Sequence, residues 1–151
     1  MIMKKFFLMS ILMSLALVLS ANALASDYGT EEEARAMLDQ AVAALKEDKD
    51  KALEMFTKGE EGFKDRDLYP YCGGPDGMFT AHPSLVGESL KDLEDKTGKP
   101  FGQEIYEVAE EGEVKEVTYM WPRPNETEPV EKVALVTKVD DQVCAVGYYR
   151  E

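Results

Sequence analysis

The sequence has few cations, few cysteines and a single histidine. Its 151 residues include 17 Lys and Arg against 30 Asp and Glu, two Cys and one His, so the formal net charge is −13. Nucleic acids and anionic membrane surfaces attract clustered Lys and Arg, so this balance excludes general electrostatic binding to either one. One histidine excludes a His-rich metal site, and no HExxH, GxSxG or phosphate-binding glycine motif is present. We therefore expect no metal, no cofactor and no enzymatic activity.

Long apolar runs are also missing, except at the N-terminus. Residues 6–19 are almost entirely apolar, and they are preceded by two lysines and followed by Ala23-Leu24-Ala25. This order is typical of a secretory signal peptide, which we assign to residues 1–25. The run is short for a bilayer-spanning helix, although an uncleaved N-terminal anchor is the alternative. Residues 26–151 are then expected to form one exported domain, periplasmic or secreted, that does not insert into the membrane.

The two cysteines, Cys72 and Cys144, both lie in this exported part. Oxidising compartments favour disulfides, so an even cysteine count predicts a bond between them, with two separate buried thiols as the alternative. Neither cysteine belongs to a CxxC pair, so a thioredoxin-like redox role lacks its motif. A nucleophile pair of Cys72 and His82 is conceivable, but the disulfide would disable it and no third orienting group is evident.

The first part of the exported region has a helical pattern. Thr30 and Glu33 form a capping box, and apolar residues then recur every three or four positions between residues 34 and 45. A second helical stretch contains residues 52–56. Two shorter helical segments are predicted at residues 90–93 and 101–109.

The other segments have the composition of short strands joined by turns. The strand patterns occupy residues 68–72, 78–82, 117–121, 132–139 and 143–149. Pro70, inside the first of these, indicates an edge position or a bend, because proline cannot donate to a ladder. Helices followed by strands with hairpin-length connections predict an α+β fold with an antiparallel sheet.

Five segments, in order along the chain, carry a more specific signal. They are Gly77-Met78-Phe79-Thr80-Ala81-His82-Pro83-Ser84-Leu85-Val86-Gly87, Gly98-Lys99-Pro100-Phe101, Tyr119-Met120-Trp121-Pro122-Arg123-Pro124, Lys132 and Val146-Gly147-Tyr148. Together they resemble the single Cache domain family over nearly the whole exported part. The resemblance implies that residues 26–151 form a PAS-like antiparallel sheet with a long N-terminal helix packed against it.

The same resemblance implies a function. Cache domains are extracytoplasmic sensors of small molecules, often carboxylates such as pyruvate, acetate or propionate, and they usually sit between two membrane helices of a chemoreceptor or kinase. No second membrane helix or signalling domain follows the last strand here, so we expect a free-standing sensor or binding module for a small organic anion. The alternative is an interaction domain that has lost its ligand and docks on a membrane receptor or transporter.

A carboxylate site needs a fixed cation or hydrogen-bond donor inside an apolar, partly dry cavity. The family pattern implies that Lys132 supplies the charge and that Trp121 forms a wall that excludes water. The alternatives are a solvated lysine on a strand and a tryptophan that belongs to the core.

Four further residues are weaker candidates. His82 and Arg123 are the other cationic side chains close to the family motifs, although His82 could be a hydrogen-bonded loop end. Tyr119 and Tyr148 are expected to offer hydroxyl donors to a bound carboxylate.

Overall fold

A computed structural model describes residues 26–150. The predicted signal peptide, residues 1–25, lies outside the described residues. Within residues 26–150, no helix is both long and apolar enough to cross a bilayer.

Two consecutive helices begin the domain. The helix α1 spans Glu31–Glu47 and starts with the predicted capping box: the Glu33 N–H donates to Thr30 Oγ1 (3.2 Å), and the Thr30 N–H donates to Glu33 Oε2 (2.8 Å). Asp48 ends this helix and begins α2, Lys49–Lys58, where its side chain accepts a hydrogen bond from a backbone N–H of the first turn.

Five antiparallel strands and one further helix complete the fold. They are β1 (Pro70–Gly73), β2 (Phe79–Ala81), α3 (Phe101–Val108), β3 (Lys115–Pro122), β4 (Pro129–Val139) and β5 (Gln142–Tyr149). The strand order in the sheet is β2-β1-β5-β4-β3, and every pairing is antiparallel. The predicted α+β class is therefore confirmed.

Two local predictions differ from the structure. Strand β1 lies between β2 and β5, so the edge position that Pro70 suggested is wrong. Proline is tolerated there because Pro70 is the first residue of β1, and β2 pairs only with Cys72 and Gly73. Residues 90–93 form a turn rather than a helix, closed by the Leu93 N–H donating to the Leu90 carbonyl.

Helices α1 and α2 cover one face of the sheet, which we call the helix face. Its buried side chains are mostly aliphatic, and they include Val133, Leu135 and Val146 on the two central strands. Cys72 and Cys144 lie directly opposite each other on β1 and β5 and form a disulfide, with their Cα atoms 4.1 Å apart. This bond closes a loop with a sequence separation of 72 residues. In the chain-entropy model a loop of that size stabilises the fold by about 4 kcal/mol.

Helix α3 and the connection between residues 82 and 100 cover the opposite face, which we call the aromatic face. Its cluster contains Tyr71, Phe79, Phe101 and Tyr119, with Trp121 packed beside them. Strands β4 and β5 are therefore buried on both faces, as central strands of a covered sheet are.

The outer edge of β3 is capped by side chains of this connection. Asp95 Oδ2 accepts from the Met120 N–H (2.9 Å), and Lys99 Nζ donates to the Thr118 carbonyl (2.6 Å). Burial alone would raise the pKa of the Asp95 carboxyl, but the Met120 hydrogen bond and those from Thr97 and Lys99 outweigh it and lower the pKa to about 2. The connection is thereby tied to the strand that carries Trp121.

Candidate ligand-binding site

Lys132 lies at the centre of the aromatic face. It is paired with Tyr119 of β3 on one side and Tyr149 of β5 on the other, so the three side chains form a row across the sheet. Its relative exposure is 1%, which is unusual for lysine. The aliphatic stem lies over Gly147, where an added Cβ would be 2.3 Å from Lys132 Cε. The missing side chain at Gly147 thus makes room for the buried lysine.

The amine of Lys132 is surrounded by tyrosines. Its Nζ donates to the Tyr69 hydroxyl (3.1 Å) and lies 4.5 Å, 5.5 Å and 5.2 Å from the ring centroids of Tyr69, Tyr71 and Tyr149. No carboxylate within residues 26–150 forms an ion pair with it. An ammonium has three N–H donors, and a buried charge is costly unless it is paired. Cation–π contacts offset only part of that cost.

Two further hydroxyl groups lie on the same face. Tyr71 and Tyr119 are hydrogen-bonded to each other through their hydroxyls, 2.9 Å apart. Burial raises the pKa of both phenols well above the ordinary value, so both stay protonated. One of the two hydroxyl protons forms the bond between them, and the other is free to donate. Phe101 stacks on the Tyr119 ring with a centroid distance of 3.9 Å, which fixes the orientation of that ring.

His82 is the second basic group of the site. Its Nδ1 accepts hydrogen bonds from the Ser84 N–H (3.0 Å) and the Leu85 N–H (3.1 Å), which assigns the proton of the neutral ring to Nε2. Burial, followed by the charge of Lys132, lowers the pKa of His82 to about 4. The imidazole is therefore neutral at pH 7, and Nε2 is left as a donor.

These residues line a small pocket of about 10 Å³, which we call the inner cavity and which has room for roughly one water molecule. Its lining is Tyr69, Tyr71, Phe79, His82, Leu90, Leu93, Phe101, Tyr119, Trp121 and Lys132. Trp121 packs edge-on against Phe101 with centroids 5.5 Å apart. Half-buried Trp121 thus forms part of the cavity wall.

A larger outer chamber of about 230 Å³ lies against the inner cavity and is open to solvent. The two share Tyr69, His82 and Trp121 as a common wall. The other lining residues of the chamber are Lys64, Pro83, Ser84, Leu85, Pro122, Arg123 and Pro124. Neither lining contains Asp or Glu, although the chain has 30 of them. The outer chamber and the inner cavity beside the buried lysine are therefore both lined without acidic side chains.

The model of the single Cache domain 2 family matches residues 11–149. The chain belongs to this family. Cache domains are extracytoplasmic sensor modules that bind small molecules. No curated protein sequence matches the chain.

Three solved structures share the fold of this Cache domain. A methyl-accepting chemotaxis protein from Vibrio parahaemolyticus RIMD 2210633 has a TM-score of 0.64 and 23% identity, covering 78% of this chain and 86% of its own. The periplasmic sensor domain of a chemotaxis protein has a TM-score of 0.59 and 24% identity, with 80% and 90% covered. A Cache chemosensory domain described for carboxylic acid recognition has a TM-score of 0.56 and 18% identity, with 80% and 88% covered. The PAS-like Cache architecture expected from the sequence is therefore confirmed.

The structure brings four of the six candidate residues of this Cache domain together. Lys132, Trp121, His82 and Tyr119 all line the inner cavity. Tyr148, by contrast, lies on the helix face and donates its hydroxyl hydrogen bond to Glu31 of α1 (3.2 Å).

Arg123 also lies outside the inner cavity. Its guanidinium stacks on the Tyr28 ring at 3.9 Å, and its Nε is 3.5 Å from Asp67 Oδ2. Asp67 in turn accepts a hydrogen bond from the Gly29 N–H through Oδ1 (2.7 Å). Arg123 therefore links the start of the domain to the end of β3, and it borders the outer chamber but not the inner cavity.

Three residues that shape the site were not among the six candidates selected from the sequence. Tyr69 holds the amine of Lys132, Tyr149 lies beside it, and Gly147 makes room for its stem. A glycine inside a strand often marks a close approach of another group, so Gly147 carried a usable signal.

Proposed function

We propose that this Cache domain is an exported sensor or binding module for a small carboxylate anion, which it binds beside Lys132 without a chemical step. The observation that supports this most directly is a buried ammonium with no carboxylate partner among residues 26–150 and with one hydroxyl as its hydrogen-bond acceptor. A bound carboxylate would supply the missing negative charge in a low-dielectric site, where charge-assisted hydrogen bonds are strong. Neither cavity is lined by Asp or Glu, so an anion there is less strongly repelled than elsewhere on this negatively charged molecule.

Each polar group of the inner cavity has a role in this proposal. Lys132 provides the counter-charge. Tyr69 and one member of the hydrogen-bonded Tyr71–Tyr119 pair donate hydrogen bonds through their hydroxyls to the carboxylate oxygens. Nε2 of neutral His82 is a further donor. Trp121 and Phe101 exclude water, which strengthens these bonds.

Binding requires the inner cavity to widen. A volume of about 10 Å³ is too small for a carboxylate, so the shared wall of Tyr69, His82 and Trp121 has to move when the ligand arrives. These three side chains border the open chamber, where displaced rings have room.

The pair of Cys72 and His82 does not support an enzymatic role. Cys72 is bonded to Cys144 and lies on the helix face, whereas His82 lies on the aromatic face with Nδ1 bonded to backbone N–H groups. Nucleophilic catalysis needs a free thiol within hydrogen-bond reach of its base.

The test is a thermal-shift and calorimetric titration of the purified protein with acetate, propionate and pyruvate. A ligand that binds only the native state raises the midpoint of unfolding. We expect saturable binding to the wild type, none to Lys132→Met, and unchanged binding to Lys138→Met, which removes an exposed lysine from the same strand. Equal binding to all three proteins would overturn the assignment of Lys132. Binding of no carboxylate would favour the interaction domain that docks on a membrane receptor or transporter.

A further inference from the structure

The outer chamber has features of a second subsite. It shares three lining residues with the inner cavity. A ligand whose carboxylate lies beside Lys132 would therefore place its remaining atoms past those side chains and in the chamber. The inner cavity itself offers those atoms no space, because its volume is only about 10 Å³.

The chamber walls are mainly apolar. Pro83 and Leu85 come from the loop after β2, and Trp121, Pro122 and Pro124 come from the end of β3 and the turn that follows it. Three of the five are prolines, whose fixed backbone φ keeps the walls preformed. Such walls suit methylene or aryl groups better than a second charged group.

The two cations that border the chamber do not favour a second anionic group. The guanidinium of Arg123 is already near Asp67 and stacked on Tyr28, and Lys64 is exposed to solvent at the rim. Arg123 is buried, but a second carboxylate in the chamber would have to compete with Asp67 for its guanidinium while lying among proline and leucine side chains.

We infer that the ligand is an amphipathic monocarboxylate, whose carboxylate binds beside Lys132 and whose aliphatic or aromatic tail occupies the outer chamber. This inference depends on the proposed carboxylate function and sharpens it, because acids longer than acetate should bind more tightly than acetate. Each methylene that enters the chamber is expected to tighten binding by up to about fourfold, because burying a methylene contributes about 0.8 kcal/mol.

The experiment is a calorimetric titration of the purified protein with the straight-chain acids from acetate to hexanoate, and with glutarate beside pentanoate. We expect affinity to rise with each added methylene until the chamber is filled. Glutarate, which has the five carbons of pentanoate and a second carboxylate, is expected to bind at least about tenfold more weakly, because that group meets apolar walls.

Variants in the loop after β2 test the binding of the tail separately from the binding of the carboxylate. Ser84→Trp places a bulky ring at a chamber-lining position, so it should abolish the gain with chain length and weaken hexanoate binding far more than acetate binding. Lys138→Met changes an exposed residue that lines neither cavity, and this control should keep the wild-type series. Leu85→Asn, which makes one wall polar without filling it, should reduce the gain for each methylene.

The outcomes separate this inference from the proposed function. If affinity falls with each methylene added to acetate, or if glutarate binds more tightly than pentanoate, the tail subsite is wrong. Neither result contradicts the proposed binding of a carboxylate beside Lys132. Binding of no acid of any length would overturn both.

Discussion

The two faces of the sheet are buried to a similar degree but differ in what they bury. The helix face packs aliphatic side chains and a disulfide beneath α1 and α2. The aromatic face packs rings around a lysine and a histidine. Apolar packing and a cross-link stabilise a fold, whereas a buried unpaired cation destabilises it. The helix face therefore contains features that only stabilise this domain, whereas the aromatic face also contains the buried cation on which the proposed recognition depends.

Removing the disulfide should have the largest effect on stability and should act through the helix face alone. For the double variant Cys72→Ala and Cys144→Ala we expect the free energy of unfolding to fall by about 4 kcal/mol, because the unfolded chain regains loop entropy. Urea unfolding measures this change. Carboxylate affinity, measured where the variant is still folded, should stay at the wild-type value, and a large loss of affinity would contradict the separation of the two faces.

Low pH should destabilise the fold through protonation of His82 on the aromatic face. The folded-state pKa of His82 is about 4, below its ordinary value of 6.5, so the unfolded state binds the proton more readily. The stability from neutral His82 is therefore complete above pH 6.5 and is lost as the pH falls to about 4, by at most about 3 kcal/mol.

The single histidine of the chain makes this pH test specific. His82→Asn keeps an acceptor for the Ser84 and Leu85 N–H groups but does not titrate in this range. Urea unfolding between pH 6.5 and pH 4 should therefore show a smaller slope for the variant. Equal slopes would contradict a buried neutral histidine.

Neutralising the buried lysine should stabilise the protein without ligand. Lys132→Met keeps the stem that packs over Gly147 and removes the unpaired charge, so we expect the free energy of unfolding to rise by about 2 kcal/mol. Chemical unfolding in a carboxylate-free buffer measures this. A clear loss of stability would mean that Lys132 is a structural residue rather than a binding residue.

The smallest expected effect concerns the cap of α1 on the helix face. Thr30→Ala removes the oxygen that accepts the Glu33 N–H, and we expect a loss of about 1 kcal/mol. Thermal unfolding should show this loss, and ligand affinity should not change. Altered affinity would indicate that α1 is coupled to the inner cavity.

The sequence predicted the secondary-structure elements better than it predicted on which face of the sheet each side chain lies. The sequence predicted the capping box, the strand segments and the pairing of the two cysteines. Cap residues and alternating apolar residues are local patterns, and an even cysteine count in an exported chain favours a disulfide. Tyr148 was expected at the site, but its neighbour Tyr149 is the one beside Lys132. All eight residues of β5 are buried, so polar alternation does not reveal which face each residue takes.

Arg123 illustrates a second limit of sequence reasoning. Simple alternation along β3 would place Arg123 on the same side as Trp121, but β3 ends at Pro122. The chain then turns, and the guanidinium reaches Tyr28 instead. Lys132 and Trp121, by contrast, lie inside regular strands, and family motifs supported both.

The central claim is that a carboxylate binds beside Lys132 behind the wall that Trp121 forms. Trp121 is the only tryptophan of the chain, so its fluorescence reports on this wall alone. Titration with pentanoate should change that fluorescence saturably in the wild type and in Lys138→Met, and leave it unchanged in Lys132→Met. An identical saturable change in Lys132→Met, or no change in the wild type, would contradict the account.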